Sequence, residues 1–309
     1  MRNAFADEIT SLASADARIQ LLSGDIGNRL FNNFQQKCPG RFFNCGVAEA
    51  NMISVGAGMC LSGLRAVAYT ITTFITARCF EQIKLDVCYN GAPLIIVGVG
   101  SGLAYASLGP THHSFEDIAI LRALPGMSVL APCDSLELRA SLRAAVTHAG
   151  PVYIRIGKKG EPSIHSTIPD FTIGKGSILR TGSDACIAAT GPILHEAIAA
   201  ADLLAAAGIQ VEIANFPSIK PLDAILLREL FGRHRLILTL EESSLAGGFG
   251  SAVSECATDL ELFHSGTRLL RAGIPDHFIH EAGEQEHARK LCGLTAPQLA
   301  ARIRQTLCT

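Results

Sequence analysis

Short apolar runs rich in β-branched residues recur along the chain, and longer stretches with helical patterning separate them. Strands of a parallel sheet are buried on both faces, so they form continuous apolar runs, and each needs a crossover helix to reach the next. The alternation therefore predicts an α/β protein with mainly parallel, doubly wound sheets. In the first half the predicted strands are 19–24, 65–70, 93–98, 127–131 and 151–156, and the predicted helices are 49–61, 74–89, 114–124 and 134–148.

The alternation stops between residues 157 and 175. This segment is polar and contains prolines, which is typical of a connection between domains. A second series follows, with predicted strands 185–190, 210–216, 236–240 and 268–272 and predicted helices 193–207, 222–231, 250–260 and 296–307. We therefore predict two doubly wound domains, 1–157 and 175–309, joined by a linker at 158–174, and each has an ordinary domain length.

Composition excludes several classes of protein. The 26 basic and 28 acidic side chains leave a formal charge of −2, and 48% of the residues are hydrophobic. The chain is therefore not a disordered protein, and we expect no nucleic-acid partner. Its ten cysteines include no CxxC pair, which indicates free thiols in a reducing, cytoplasmic environment. The amino terminus is charged and no long apolar run occurs, so we expect no signal peptide and no membrane span.

Glu49 is the most informative single residue, because it lies in a helix of small and apolar residues. An ionised carboxylate is costly to bury, so Glu49 has to be exposed, paired, or kept partly protonated as a proton donor. Charged residues are mostly exposed, so composition alone favours an exposed, non-functional position. A dry carboxyl group would instead suit acid–base chemistry.

The surrounding residues resemble a known family. Gly-Val-Ala-Glu at 46–49 resembles the Gly-Ile/Val-x-Glu motif in the pyrimidine-binding domain of transketolases and related thiamine diphosphate enzymes. The resemblance implies that Glu49 hydrogen-bonds the aminopyrimidine ring of the cofactor and drives it to its imino form. Thr73-Phe74 is similar to the family's Thr-Phe segment, whose phenylalanine packs on that ring. Asp25, after the first strand, and Ile71 are the other residues that the resemblance places at the cofactor.

The resemblance also assigns substrate contacts. Gly109-Pro110-Thr111-His112-His113 is similar to the family's Gly-x-Thr-His-Gln segment, which implies that His112 faces the substrate and the reacting carbon. No third ligand accompanies the histidine pair, so we expect no metal site in this chain. Arginine suits a sugar phosphate because it is permanently charged and bidentate. The resemblance gives substrate-binding roles to Arg2, Arg29, Arg78, His112, His113 and Arg155.

Two positions depart from the family pattern. Leu108 stands where sugar transketolases usually have an aspartate that reads a substrate hydroxyl, and Gly100-Ser101 stands where many have His-Asp. A site without such hydrogen-bonding side chains loses the large discrimination between substrates that they provide. The usual pentose phosphate acceptor is therefore not favoured for this chain.

The resemblance spans nearly the whole chain but corresponds to the second half of a full-length transketolase. The sequence has no Gly-Asp-Gly followed downstream by Asn, the motif with which the family's other half holds the metal and the diphosphate. This implies a split enzyme in which an N-terminal-type subunit carries Mg²⁺ or Ca²⁺ and shares the thiamine diphosphate, in a dimer of heterodimers.

The predicted function is transfer of a two-carbon ketol unit from a ketose or ketose phosphate to an aldehyde, with Glu49 and His112 as catalytic residues. Two alternatives are the β subunit of a 2-oxo acid dehydrogenase and a non-catalytic partner that has kept the fold. Thr111-His112 and Tyr153-Ile154-Arg155 favour the transferase over the dehydrogenase.

Overall fold

The computed structural model describes residues 1–264 and 266–308, apart from the side chain of Asn28. In chain order the strands are β1 Ile19–Ser23, β2 Phe42–Asn44, β3 Arg65–Ile71, β4 Ile95–Val99, β5 Ser128–Leu130, β6 Val152–Ile156, β7 Ser177–Arg180, β8 Ala185–Ala189, β9 Val211–Asn215, β10 Ser218–Lys220, β11 Leu236–Ser244 and β12 Arg268–Ile274. The α-helices are α1 Arg2–Ala15, α2 Asn32–Lys37, α3 Glu49–Leu61, α4 Thr72–Ile75, α5 Phe80–Gln82, α6 Asp117–Arg122, α7 Ser135–Thr147, α8 Leu194–Ala205, α9 Ala224–Arg233, α10 Phe249–Asp259, α11 Gln285–Leu291 and α12 Ala296–Leu307.

The strands form two sheets. The first has the order β10-β5-β6-β4-β3-β1-β2 and the second the order β12-β11-β8-β9-β7. Neighbouring strands run parallel except at two edges, where β10 is antiparallel to β5 and β7 is antiparallel to β9. The fold class predicted from the sequence is thus confirmed. None of the helices within the described residues is long and apolar enough to span a bilayer.

Several predicted elements differ from the observed ones. Helix 74–89 is instead a succession of short pieces: α4, a 3₁₀ turn at Ala77–Cys79, α5, and a π-helix at Ile83–Tyr89. At the first break the Thr76 hydroxyl donates to the Thr72 carbonyl at 2.7 Å. The predicted helix 114–124 is confined to α6, and the three-residue strands β2 and β10 were too short to predict from a pattern.

The segment between the two halves is irregular, and one strand of the second half joins the sheet of the first half. No helix or strand occurs between β6 and β7, where residues 157–176 are all described. Asp134, the N-cap of α7, also accepts hydrogen bonds from the backbone N–H groups of Ile164 and His165 at 2.9 and 2.7 Å. Strand β10 lies in the second half of the sequence yet joins the first sheet. The predicted boundary at 158–174 therefore does not separate the two sheets completely.

Strand β11 of the second sheet supports a loop of the first domain. The N–H of Leu103 donates to Glu242 Oε1 at 2.8 Å, and the N–H of Ser244 donates to the Phe115 carbonyl at 2.8 Å. Gly102 packs so closely on Glu242 that a Cβ there would lie 2.4 Å from its carbonyl oxygen. The second domain therefore fixes both ends of the loop that follows β4.

Candidate functional site

The predicted site residues follow the carboxyl ends of neighbouring strands in the first sheet. Asp25 follows β1, Glu49 follows β2, Phe74 follows β3, and His112 lies in the loop after β4. The strand order reverses between β1 and β3, because the chain continues from β1 to one side and returns on the other. Such a reversal leaves a crevice outside the carboxyl ends of the strands, where α/β proteins bind ligands.

The turn before α3 is held by Asn44. Its side-chain amide donates to Asp25 Oδ1 at 3.1 Å, and its carbonyl oxygen accepts from the N–H of Gly46 at 2.9 Å. Gly46 has a φ of +67°, which glycine adopts without strain. These contacts fix the start of α3, where Glu49 is the first residue and is only 4% exposed.

Glu49 is paired with a cation that also covers Phe74. Arg78 NH1 donates to Glu49 Oε2 at 2.9 Å, and the Arg78 side chain is 47% exposed. The guanidinium carbon lies 4.4 Å from the centroid of the Phe74 ring. Of the three states expected for the Glu49 carboxylate, the structure therefore shows the paired one. The break in the predicted helix 74–89 lies between Phe74 and Arg78.

His112 lies on the other side of Phe74. Their ring centroids are 5.3 Å apart with the planes at 66°. The Thr111 hydroxyl is 2.9 Å from His112 Nδ1, and the Thr73 hydroxyl donates to the Thr111 carbonyl at 3.2 Å. Burial, and then the neighbouring His113, lower the pKa of His112, so its imidazole is neutral at neutral pH.

A cavity of about 380 Å³ lies between α1 and the ends of β1, β3 and β4. Among the predicted site residues it brings together Arg2, Arg29 and Ile71. Two buried polar atoms in its wall, Arg2 Nε and the Tyr69 hydroxyl, have no hydrogen-bond partner. None of the described residues that line it is acidic. The cavity therefore presents donors and positive charge to whatever enters it.

Tyr105 joins the cavity to the histidine, and sequence reasoning did not identify it. Its ring lines the cavity and lies 5.8 Å from the His112 ring, with the planes at 67°. Lys158 Nζ is 4.6 Å from the centroid of the same ring. A chain of contacts thus runs from Glu49 through Arg78, Phe74 and His112 to Tyr105 and the cavity.

Two residues with predicted substrate roles lie elsewhere. His113 is 5% exposed, stacks on Phe115 with ring centroids 5.3 Å apart, and points Nε2 at the Ala106 carbonyl at 3.2 Å. His113 therefore packs away from His112 in this structure, and its substrate-binding role stays a prediction.

Arg155 is buried, at 1% exposure. Its Nε donates to Asp117 Oδ2 at 2.7 Å, and NH2 donates to the carbonyls of Ser114 and Glu242 at 3.0 and 2.8 Å. A guanidinium already neutralised by a carboxylate and bound to two carbonyls acts as a bridge between the domains. The Arg155 charge is thus paired inside the protein, and the sugar-phosphate role that the resemblance implies stays a prediction.

One group of side chains has the composition of a metal site. The ligand atoms of Cys133, Glu137 and His165 lie within 4.8 Å of one another. However, Glu137 accepts from the N–H of Cys133 at 2.7 Å and from the Asn215 amide at 2.7 Å. His165 Nδ1 is 3.1 Å from Asp134 Oδ2. These contacts make the group a clamp on the linker at the start of α7.

A buried glutamate at a helix start, an aromatic ring and a histidine on the adjoining loops, and a second α/β domain behind them define the pyrimidine-binding half of a thiamine diphosphate enzyme. The family profile "Transketolase, pyrimidine binding domain" matches residues 1–161, and "Transketolase, C-terminal domain" matches residues 174–299. The chain belongs to the transketolase family and is a transferase subunit of the split-gene type.

The most similar relatives include subunits of two split transketolases. The chain is 37% identical to 6-deoxy-6-sulfo-D-fructose transketolase subunit SqwH of Clostridium sp. (strain MSTE9), over 97% of this chain and 92% of that protein. It is 33% identical to a subunit of the apulose-4-phosphate transketolase of Phocaeicola vulgatus, over 92% of this chain and 90% of that protein. It is 39% identical to 1-deoxy-D-xylulose-5-phosphate synthase of Synechococcus sp. (strain WH7803), over 87% of this chain but only 41% of the synthase.

Solved structures agree with the sequence relatives. A structure described as "Split gene transketolase, inactive beta4 tetramer" superposes with a TM-score of 0.90 at 32% identity, covering 99% of this chain and 97% of that one. A transketolase from Pichia stipitis superposes with a TM-score of 0.81 at 20% identity, covering 99% of this chain and 45% of that one, which supports the fold alone.

Proposed function

We propose that Glu49, Phe74 and His112 form this subunit's share of a transketolase active site, completed by thiamine diphosphate and an N-terminal-type subunit. The contact that carries the proposal is that of the Arg78 guanidinium, a flat, nitrogen-bearing cation that lies against the Glu49 carboxylate and over the Phe74 ring. An aminopyrimidine is likewise flat and carries a hydrogen-bonding nitrogen, so the carboxylate and the ring fit it.

Each residue then has a definite task. Glu49 holds a proton at the pyrimidine nitrogen, in a position shielded from water. Phe74 fixes the plane of the pyrimidine ring, and Asp25 and Ile71 border the cofactor from the ends of β1 and β3. His112, neutral at neutral pH, accepts or donates a proton at a substrate oxygen. Thiamine diphosphate supplies the carbanion stabilisation on which ketol transfer depends.

Exposed apolar side chains near Glu49 support a partner subunit. Val47, two residues before it, is 79% exposed, and Val55 on the same helix is 41% exposed. Leu85 and Tyr89, on the adjacent π-helix, are 44% and 85% exposed. Contiguous exposed apolar side chains are typical of protein interfaces. We propose that the N-terminal-type subunit covers this face, carries Mg²⁺ or Ca²⁺ with the diphosphate, and forms a dimer of heterodimers with this chain.

The relatives indicate the kind of sugar. The names of the three relatives above describe sugars with a sulfo or a phosphate group. In this chain Arg2 and Arg29 line one cavity, and both cations suit such an anion. We propose sugars with a terminal anionic group as substrates, bound between His112 and this cavity. The cytoplasmic location and the two-carbon size of the transferred unit also belong to this proposal.

The test is reconstitution with the partner subunit. The complex is offered a ketose phosphate and an aldehyde, and separately pyruvate and lipoamide. Ketol transfer is the expected activity, and acyl transfer to lipoamide without ketose cleavage would favour the dehydrogenase alternative. Glu49→Gln should lower kcat by roughly 10²–10⁴-fold, the usual share of general acid–base catalysis.

The matched control is Glu212→Gln. Glu212 is also buried, at 4% exposure, and paired with an arginine, but it lies in the second domain. The complex with Glu212→Gln should keep its ketol-transfer activity, whereas undiminished turnover of the Glu49→Gln complex would favour the non-catalytic alternative. Calorimetry on the isolated chain should show no binding of thiamine diphosphate, and micromolar binding there would contradict a site shared with a partner.

A further inference from the structure

The ring of Tyr105 occupies the space that a side chain at residue 100 would need. Gly100 has a φ of +81°, and a Cβ added to it would lie 1.9 Å from Tyr105 Cε2 and 2.1 Å from Cδ2. The backbone is fixed there, because the N–H of Gly100 donates to the Ile156 carbonyl at 3.0 Å. The observed position of the ring therefore requires glycine at residue 100.

From this position the ring separates two functional parts of the site. The ring packs against His112 in a T-shaped arrangement, and the Lys158 ammonium lies over the ring. The same side chain lines the cavity together with Arg2 and Arg29, and Tyr105 as a whole is only 9% exposed. Tyr105 thus stands between the histidine at the reacting end and the arginines at the far end.

The surroundings of the Tyr105 hydroxyl favour a hydrogen-bond acceptor. Arg2 lies beside it in the cavity wall. Arg2 Nε and the Tyr69 hydroxyl are buried in the same wall without partners, and buried donors of this kind are normally satisfied by a ligand or water. Burial raises the pKa of Tyr105, so its hydroxyl keeps its proton and remains a donor.

We infer that Tyr105, admitted by Gly100, is a specificity-determining residue whose hydroxyl donates a hydrogen bond to an oxyanion at the far end of the substrate. Arg2 and Arg29 supply the charge, and Tyr105 supplies a neutral donor of fixed position. Phosphate and sulfonate groups share the tetrahedral acceptor oxygens that this arrangement recognises. The inference rests on the proposed function, because it takes the substrate to be a sugar that reaches His112 at its other end.

The kinetic test uses the complex with the partner subunit and Tyr105→Phe, which keeps the ring and removes the hydroxyl. With an aldehyde acceptor that carries a terminal phosphate, kcat/KM should fall about tenfold or more, mainly through KM. With the same acceptor lacking the phosphate, kcat/KM should stay within about twofold. Thr258→Val, which removes an exposed hydroxyl from α10 in the second domain, is the control. An equal loss for both acceptors would overturn the inference.

A second test needs no catalysis. The thermal midpoint of the isolated chain is measured in sodium phosphate, in sodium methanesulfonate and in sodium chloride of equal ionic strength. Either oxyanion should raise the midpoint of the wild type more than that of Tyr105→Phe, and the anion with the larger effect identifies the preferred group. Equal protection of both proteins would overturn the inference. Anion protection that depends on Tyr105, in a complex without ketol transfer, would instead refute only the proposed function.

The role of Gly100 is tested by Gly100→Ala, which should displace the ring and reproduce the loss of selectivity. Gly208→Ala is the matched control for backbone strain, because Gly208 has a φ of +82° and nothing lies within 4 Å of an added Cβ. If Gly100→Ala kept full selectivity for the phosphorylated acceptor, the pairing of residues 100 and 105 would be wrong.

Discussion

Arg78→Gln removes the guanidinium that the free chain places against Glu49 and over Phe74. The Arg78 NH1–Glu49 Oε2 distance is 2.9 Å, and the two side chains are 47% and 4% exposed. An exposed ion pair contributes about 0.2–1 kcal/mol, and breaking a buried one costs about 3–5 kcal/mol. Because Arg78 is half exposed, solvent screens this pair, and we expect the pair and its ring contact together to contribute about 1–2 kcal/mol to stability.

The guanidinium has to leave Glu49 before an aminopyrimidine ring can contact the carboxylate. Removing it should therefore raise the affinity of the assembled complex for thiamine diphosphate by the same free energy, about 5- to 30-fold. The isolated chain should lose about 1–2 kcal/mol of stability, because Glu49 is left buried without its cation. Calorimetric titration of the complex and urea unfolding of the isolated chain measure the two effects separately.

Arg233→Gln is a closely matched control. Arg233 NH2 lies 2.6 Å from Glu212 Oε1, and the two side chains are 44% and 5% exposed. This variant should lose similar stability without a change in cofactor affinity. The reasoning is refuted if Arg78→Gln binds thiamine diphosphate no more tightly than Arg233→Gln does. A higher KM for the ketose in Arg78→Gln would in addition support the substrate role predicted for Arg78.

Three further outcomes are expected. Tyr69→Phe should raise the free energy of unfolding by up to about 1 kcal/mol, since it removes a buried hydroxyl without a partner, and a loss of stability in urea would contradict this. The hydrogen bond to Asp134 raises the pKa of His165, so the pair stabilises fully below about pH 6.5 and its contribution is lost as pH rises through the raised pKa. His165→Gln should flatten that part of the stability profile, and an unchanged slope would count against the pair. Glu242→Gln weakens the acceptor of the Leu103 N–H and removes the buried carboxylate that pairs with Arg289, so it should lower kcat/KM about tenfold or more while cofactor affinity stays constant; a loss of cofactor affinity would show a wider disruption.

The site residues that could be predicted from the sequence are those that lie in a recognisable local motif. Glu49, Phe74 and His112 each lie in a short motif, and each motif follows a strand of the first sheet. Parallel strands bring their carboxyl ends to one edge, so these residues had to meet. The same argument placed Asp25 at that edge, where it accepts a hydrogen bond from Asn44.

The parts that were not predictable depend on partners distant in the sequence. The residues next to Arg155 in its strand predict a phosphate-binding role. Its observed contacts are instead with Asp117 and with the Glu242 carbonyl, 87 residues away. Tyr105 has no motif of its own, and only the fold shows that the missing side chain at Gly100 makes room for its ring. A three-residue strand such as β10 is likewise specified by the sheet edge that it meets.

The second domain contributes no reacting group to the proposed site, yet the site depends on it. Glu242 accepts the N–H of Leu103 through its side chain and receives Arg155 through its carbonyl, while Ser244 bonds to Phe115 at the far end of the same loop. That loop carries Tyr105 and His112 between these two fixed points. A displacement of β11 relative to β6 would therefore move the histidine and the tyrosine together. The positions of both residues relative to Glu49 and to the two arginines of the cavity are thus set by the packing of the two domains, and not by the loop alone.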